Sequence, residues 1–129
     1  MHFFCNILSK RKVIVLEDKI CFVNSKEPFE YTLSIIGGKW KLKIIYVLIC
    51  TGTARYGFLK KNIQGITHKM LSSQLKELES QNIIIRKEYP QIPPKVEYSL
   101  TQKGQSLFSV VTAICDWGVA QKSNIEVVK

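Results

Sequence analysis

Between Thr67 and Gly104 the chain sets an amphipathic helix, a left-handed stop and two strand-like runs in immediate succession. Few small folds accept that order. Thr67 is a good N-cap for the helix, although Met70 at the third helical position leaves no capping box. At about 100° per residue, Leu71, Leu75 and Leu78 fall on one stripe. Lys69, Ser73, Lys76 and Ser80 fall opposite, with Met70 and Ser72 on the flanks. Asn82 stands where a residue in left-handed conformation ends a helix. The runs "IIIRKEY" and "KVEYSL" read as two strands joined by "PQIPP". Proline cannot donate to a ladder, so Pro90, Pro93 and Pro94 belong at the tip. A hairpin meant only for a core would use a short Asn-Gly or Asp-Gly turn. This one projects a stiff tip with Lys95 beside it.

Upstream, Pro28 fits the first position of a helix and Gly37 the position just past its end, with Phe29, Leu33 and Ile36 at helical spacing between them. A second helix is expected from about Lys39 to Cys50, closed by Gly52. Trp40, Ile44, Val47 and Leu48 share one of its faces, while Leu42, Ile45 and Ile49 sit on others. A helix apolar nearly all round is buried at the centre of a fold or in a dimer. A short helix around Tyr56–Asn62 follows, then Gly65. Downstream, Thr101 is expected to cap one long helix bearing Leu107, Phe108, Val111, Ile114 and Trp117. Residues 1–26 read as a separate extension, either a small hairpin with a turn at Glu17–Lys19 or a poorly ordered arm. Residues 27–122 then form the main domain and 123–129 a tail.

The order of elements predicts a mainly α fold with a small β-hairpin, an α+β winged helix-turn-helix flanked by N- and C-terminal helices that dimerise. In such a unit the second helix of the pair enters the major groove and its outward residues meet base edges. Lys69, Ser72, Ser73 and Lys76 are chemically suited to that face, since serine bonds several base edges and lysine bonds guanine or phosphate. The hairpin tip is suited to lie against a phosphate backbone. Nineteen Lys and Arg against ten Asp and Glu give a net charge of +9, which favours an anionic partner. The longest apolar run, "IIYVLIC", is too short to span a bilayer. The N-terminus places its apolar part before its charges, the reverse of an export signal, so a cytoplasmic protein without a membrane partner is expected.

Catalysis finds little support. His2 and His68 have no nucleophile or carboxylate partner at motif spacing, and neither a phosphate loop nor a metal-ligand cluster appears. Four cysteines without a C-x-x-C pair argue against zinc or a disulfide framework. No cofactor is expected.

Four stretches together resemble the HxlR-type winged helix-turn-helix transcriptional regulators, a family related to the MarR regulators. They are "IIGGKWKLKII", "GTARYGFL", "GITHKMLSSQLKELE" and "YPQIPPKVEYSLTQKG", in family-like order and spacing from about Pro28 to Trp117. The resemblance implies a homodimer on a partly palindromic operator in double-stranded DNA. Carried residue by residue, it implies recognition by Thr67, His68, Lys69, Ser72 and Ser73, with backbone contacts from Arg55 and Lys95. Lys76 joins the recognition residues from its place on the helix face. Arg86 matches an arginine on the strand after the recognition helix, which touches phosphate or pairs with an acid such as Glu88. Lys39 and Lys41 either face phosphate or belong to a solvated helix start. Dimer contacts are expected from Phe29, Leu33, Leu107, Val111, Ile114 and Trp117.

Two departures from the family pattern bear on regulation and stability. The cysteine that many relatives carry before the first helix is replaced here by Glu27. Cys21 could substitute as a redox thiol only beside a positive group that lowers its pKa. Cys50 and Cys115 lie in apolar runs, where thiols are usually inert. Phe58 stands where relatives commonly have glutamate, and Gly57 beside it should cost about 1 kcal/mol of helix stability. Trp40, Phe108 and Trp117 either line a pocket for a small aromatic or aldehyde effector or simply fill the core and dimer interface, the more ordinary use. The competing reading of the whole chain is a winged-helix adaptor that binds protein, with the charge incidental.

Overall fold

The computed structural model describes the backbone of residues 18–128 and the side chains of residues 27–123. The chain falls into two compact units, divided between Gly37 and Gly38.

The first unit holds α1 (Asp18–Ile36). This corrects the expected turn, because Asp18 and Lys19 are already helical; residues 1–17 lie outside the described residues. Pro28 is an interior residue of α1, not its first. It forfeits the bond its missing N–H would have given to the Asn24 carbonyl. The helix nevertheless continues, with the Thr32 hydroxyl donating to the Pro28 carbonyl at 2.9 Å. The stop was read correctly: the Gly37 N–H donates to the Leu33 carbonyl at 2.7 Å. Phe29 and Leu33, four residues apart on α1, are 61% and 43% exposed.

The second unit runs α2 (Lys41–Thr51), β1 (Thr53–Arg55), α3 (Tyr56–Asn62), α4 (His68–Ser80), β2 (Ile84–Tyr89), β3 (Lys95–Leu100), α5 (Gln102–Gln105) and α6 (Phe108–Val128). As its composition requires, α2 is central, with Ile44, Ile45 and Leu48 buried. Leu71, Leu75 and Leu78 bury one stripe of α4, and Leu59 anchors α3. Burying each leucine contributes about 1.5–3 kcal/mol. Between α3 and α4 the chain turns at Gly65, whose φ of 85° is a conformation that side chains disfavour.

The sheet is three-stranded and antiparallel, in the order β1-β3-β2. β1 was not foreseen, because three residues are too few to show an alternating pattern. Ile84 faces Leu100, Arg86 faces Tyr98 and Lys87 faces Glu97, while Ala54 and Arg55 of β1 face Tyr98 and Glu97. Strand side chains alternate between faces. The inner face therefore carries Ala54, Ile84, Tyr98 and Leu100, all buried. Arg55, Lys87, Tyr89, Lys95 and Glu97 share the outer face.

The expected single C-terminal helix is two. Thr101 does cap a helix, accepting the Gly104 N–H at 2.9 Å, but that helix ends at Gln105. Ser106 N–H is shared between the Gln102 and Lys103 carbonyls, and Leu107 N–H reaches Gly104, a tightened turn that redirects the chain into α6. The Thr101 hydroxyl also lies 2.6 Å from the carbonyl of Asn82, the left-handed residue just past α4. Lys103 Nζ donates to the Gln81 carbonyl at 3.2 Å. Gly104 packs against the Ile83 carbonyl, where a Cβ would not fit. The end of α4 is thus fastened to the far end of the hairpin, which fixes helix and hairpin as one rigid piece.

Candidate nucleic-acid interface

The surface of α4 opposite its leucines is hydrophilic and chemically mixed. Lys69, Ser73 and Lys76 are exposed, and among the described residues no ion pair or hydrogen bond engages their side chains. Seven residues separate the two lysines, about 10 Å along a helix. That length fits within the major groove, which is about 12 Å wide and admits a single helix.

The other expected recognition residues are already engaged. Thr67 is the N-cap of α4, its hydroxyl accepting the Met70 N–H at 3.1 Å. His68 and Ser72 both meet the hydroxyl of Tyr56, at 3.0 Å from Nδ1 and 3.3 Å from Oγ. Tyr56 was missed in the sequence. Its partners lie 12 and 16 residues away, and they meet only once α3 and α4 are folded together.

Arg55 is exposed at the end of β1, in the N-cap position of α3. Arg86 lies on the inner face of β2. Its guanidinium is held charged above its ordinary pKa, first by hydrogen bonding to the Tyr98 side chain and then by Glu88. The Arg86–Glu88 pair spans 3.5 Å with both side chains substantially exposed, so it adds little stability. Lys95, expected as a backbone contact, lies beside an acid and an aromatic ring. Its ammonium lies 3.5 Å from Glu97 and 5.0 Å from the Tyr89 ring centre. Lys87, also missed, sits over the same ring at 5.0 Å. Period-two spacing in "IIIRKEY" could have found it, since Lys87 and Tyr89 share a face.

Near the start of α2 the lysines divide. Lys39 and Lys43 lie 4.7 and 5.1 Å from the Trp40 ring centre. Lys41 is neither a phosphate-facing nor a solvated residue: it is buried and paired with Glu77 of α4 at 2.8 Å. This ion pair ties α4 to α2. Nothing local announced it, because the acid lies on another helix.

The aromatic trio does not form one pocket in the single chain. Trp40 is buried. Phe108 lines a groove with Leu48 and Ile49, and Trp117 lines another with Val110 and Ala113. Nine residues of helix separate Phe108 from Trp117, about 900° of rotation, which puts them on opposite sides of α6. A different cavity of about 390 Å³ opens between α2, α6 and the end of α3, lined among others by Lys43, Tyr46, Asn62, Ile63 and Cys115. The Tyr46 phenol is pushed above its ordinary pKa by neighbouring Cys50 and then by Cys115. Cys50 and Cys115 are exposed free thiols rather than core thiols. The Cys21 side chain lies outside the described residues. Among the described residues there is no cluster of side chains fit to hold a metal.

Of the residues expected at a dimer contact, Val111 is already buried within the chain at 7% exposure, so it serves the core. Ile114 and Trp117 stand 49% and 69% exposed. Leu107 is half-buried in the turn that leads into α6.

A capped helix fastened to a small antiparallel sheet, with a short helix and tight turn before it, defines a winged helix-turn-helix DNA-binding protein. The profile of the HxlR-like helix-turn-helix family matches residues 35–126, and the chain belongs to that family. It is 54% identical over 98 residues to the uncharacterised HTH-type transcriptional regulator YdzF of Bacillus subtilis (strain 168), covering 76% of this chain and 90% of that one. An uncharacterised HTH-type transcriptional regulator of Halalkalibacterium halodurans is 56% identical over 97 residues, covering 75% and 86%. The solved structure of the redox regulator HypR in its reduced form superposes with a TM-score of 0.71 at 42% identity, over 78% of this chain and 98% of that one. The chain is a DNA-binding transcriptional regulator and not an enzyme. Among the described residues no helix is long and apolar enough to cross a membrane.

Proposed function

We propose that the protein acts in the cytoplasm as a homodimer that reads a two-fold operator in double-stranded DNA. In this reading α4 lies in the major groove, with Lys69, Ser73 and Lys76 toward the bases. Arg55, Arg86 and Lys95 serve the backbone, and the hairpin tip rests on phosphate or in the minor groove. The observation that carries the reading is the unengaged Lys69–Ser73–Lys76 row on a helix whose opposite face is fully committed to the core. Two-fold symmetry predicts half-sites about 34–36 Å apart, one turn of DNA. Selection from a pool of random duplexes should therefore enrich an inverted repeat with that spacing. Recovery of no common sequence would count against it.

Large exposed apolar side chains support the dimer. Ile114 and Trp117 expose apolar surface on α6, and Phe29 and Leu33 expose it separately on α1, of the kind a second copy would cover. Trp117→Asp is expected to elute at the protomer's mass where the parent elutes at twice it, because a charge would be buried unpaired. An unchanged mass would move the interface away from α6. A small-molecule effector belongs to the same reading, and we assign it the cavity beside Tyr46 rather than the three aromatic residues.

A further inference from the structure

The Tyr56 ring stacks on the imidazole of His68, the first residue of α4, with centroids 5.8 Å apart and planes within 8°. Its hydroxyl reaches Nδ1 of His68 at 3.0 Å and the His68 carbonyl at 3.2 Å. One phenolic proton can serve both as a shared bond, with Nδ1 as the shorter arm. The helical N–H one turn on also serves the carbonyl. The Ser72 hydroxyl, 3.3 Å from the phenol oxygen, is then the group that donates to it. With the phenol donating to Nδ1, donation runs from Ser72 to Tyr56 to His68, each bond polarising the next. A neutral imidazole that accepts at Nδ1 carries its own proton at Nε2.

We propose that Tyr56 is a positioning residue that fixes His68 as its Nε2–H tautomer, so that His68 offers the major groove a donor and reads an acceptor base edge. The proposal rests on the reading of α4 as the recognition helix. The N-terminal residues of such a helix contact base edges, and both rings here are held before DNA arrives. Guanine presents O6 and N7, adenine N7 and thymine O4, whereas cytosine presents only its amino donor. His68 therefore refuses cytosine at one position in each half-site. Thr67, beside it, is occupied as the helix cap and does not compete for that base.

The test uses the full chain and Tyr56→Phe, which keeps the stacked ring and removes only the hydroxyl. With the operator varied at each position, the parent should disfavour cytosine at one position by about tenfold, within the usual range for a single base contact. Tyr56→Phe should shrink that to about twofold, leaving the other positions, the salt slope and the thermal midpoint unchanged. His68→Ala should lose the same discrimination, and adding Tyr56→Phe to His68→Ala should change nothing more. Nitrogen-15 NMR of the DNA-free protein at mildly alkaline pH supplies a second readout: His68 should be the Nε2–H tautomer in the parent and a mixture in Tyr56→Phe. An Nδ1–H tautomer in the parent, or a loss in Tyr56→Phe spread evenly over all positions, would overturn the proposal. If the parent prefers no duplex at all, the recognition reading itself fails, and the tautomer still decides whether Tyr56 positions the ring.

Discussion

Replacing Ser73 and Lys76 together by alanine is expected to lower the preference for operator over scrambled duplex by about 10²-fold while the protein stays folded and dimeric. Both side chains are exposed on the face of α4 opposite Leu71, Leu75 and Leu78. Neither supports another group, so removal leaves nothing buried and unpaired. Alanine is the strongest helix former, and α4 keeps its Thr67 cap. Each good base contact is worth about 1–3 kcal/mol of discrimination, and a dimer loses the pair twice. What remains is the contribution of the first turn and the non-specific attraction of a chain with a net charge of +9. Competition binding against scrambled duplex, beside a thermal melt, checks it. Preference retained in full would move recognition to the hairpin or the N-terminal extension.

The largest effect on stability is expected at Gly104. A Cβ there would collide with the carbonyl of Ile83 and stand 3.0 Å from Leu100 Cδ2. The carbonyl cannot retreat, because it accepts the Thr101 N–H at 2.9 Å within the fastening that joins α4 to the hairpin. Overpacking of this kind costs about 1–3 kcal/mol, and a fixed backbone partner puts Gly104→Ala at the upper end. The midpoint should fall by roughly 10 °C or more at fixed protomer concentration. Gly57→Ala is the control. It too adds one methyl to a helical glycine, but in open space, and should be neutral or gain up to about 1 kcal/mol. Similar melts for the two variants would mean that the Thr101–Gly104 fastening yields easily.

The elements legible in the sequence were those whose signals are local. Thr67 with its leucine stripe, Asn82 at a φ of 61°, and the proline-punctuated hairpin each carry their geometry within a few residues. What escaped depends on distant partners. β1 exists because Thr53–Arg55 pairs with β3, and no three-residue stretch advertises that. Lys41 looked like one more surface cation until Glu77 of another helix was brought to it. Pro28 misled because the same missing N–H that suits a helix start can be tolerated inside a helix. The break after Gln105 turns on hydrogen bonds shared between neighbouring carbonyls, which side-chain periodicity does not report. The site divides in the same way. Periodicity alone placed Lys69, Ser73 and Lys76 on one exposed face, whereas the hold of Tyr56 on His68 and Ser72 needed the folded turn. Residue type alone did not separate the aromatic trio: Trp40 stands at the start of α2, and half a turn of α6 separates Phe108 from Trp117.

Fluorescence anisotropy of the purified protein on its own upstream DNA and on a scrambled duplex, across a salt series, tests the central claim most directly. A two-fold operator complex predicts a preference of about 10³ or more, riding on an affinity that falls steeply with salt as Lys and Arg displace counterions. Equal and weak binding to that DNA, to the scrambled duplex and to any sequence drawn from the random pool would contradict it. Such a result would leave the winged domain as a protein-binding adaptor.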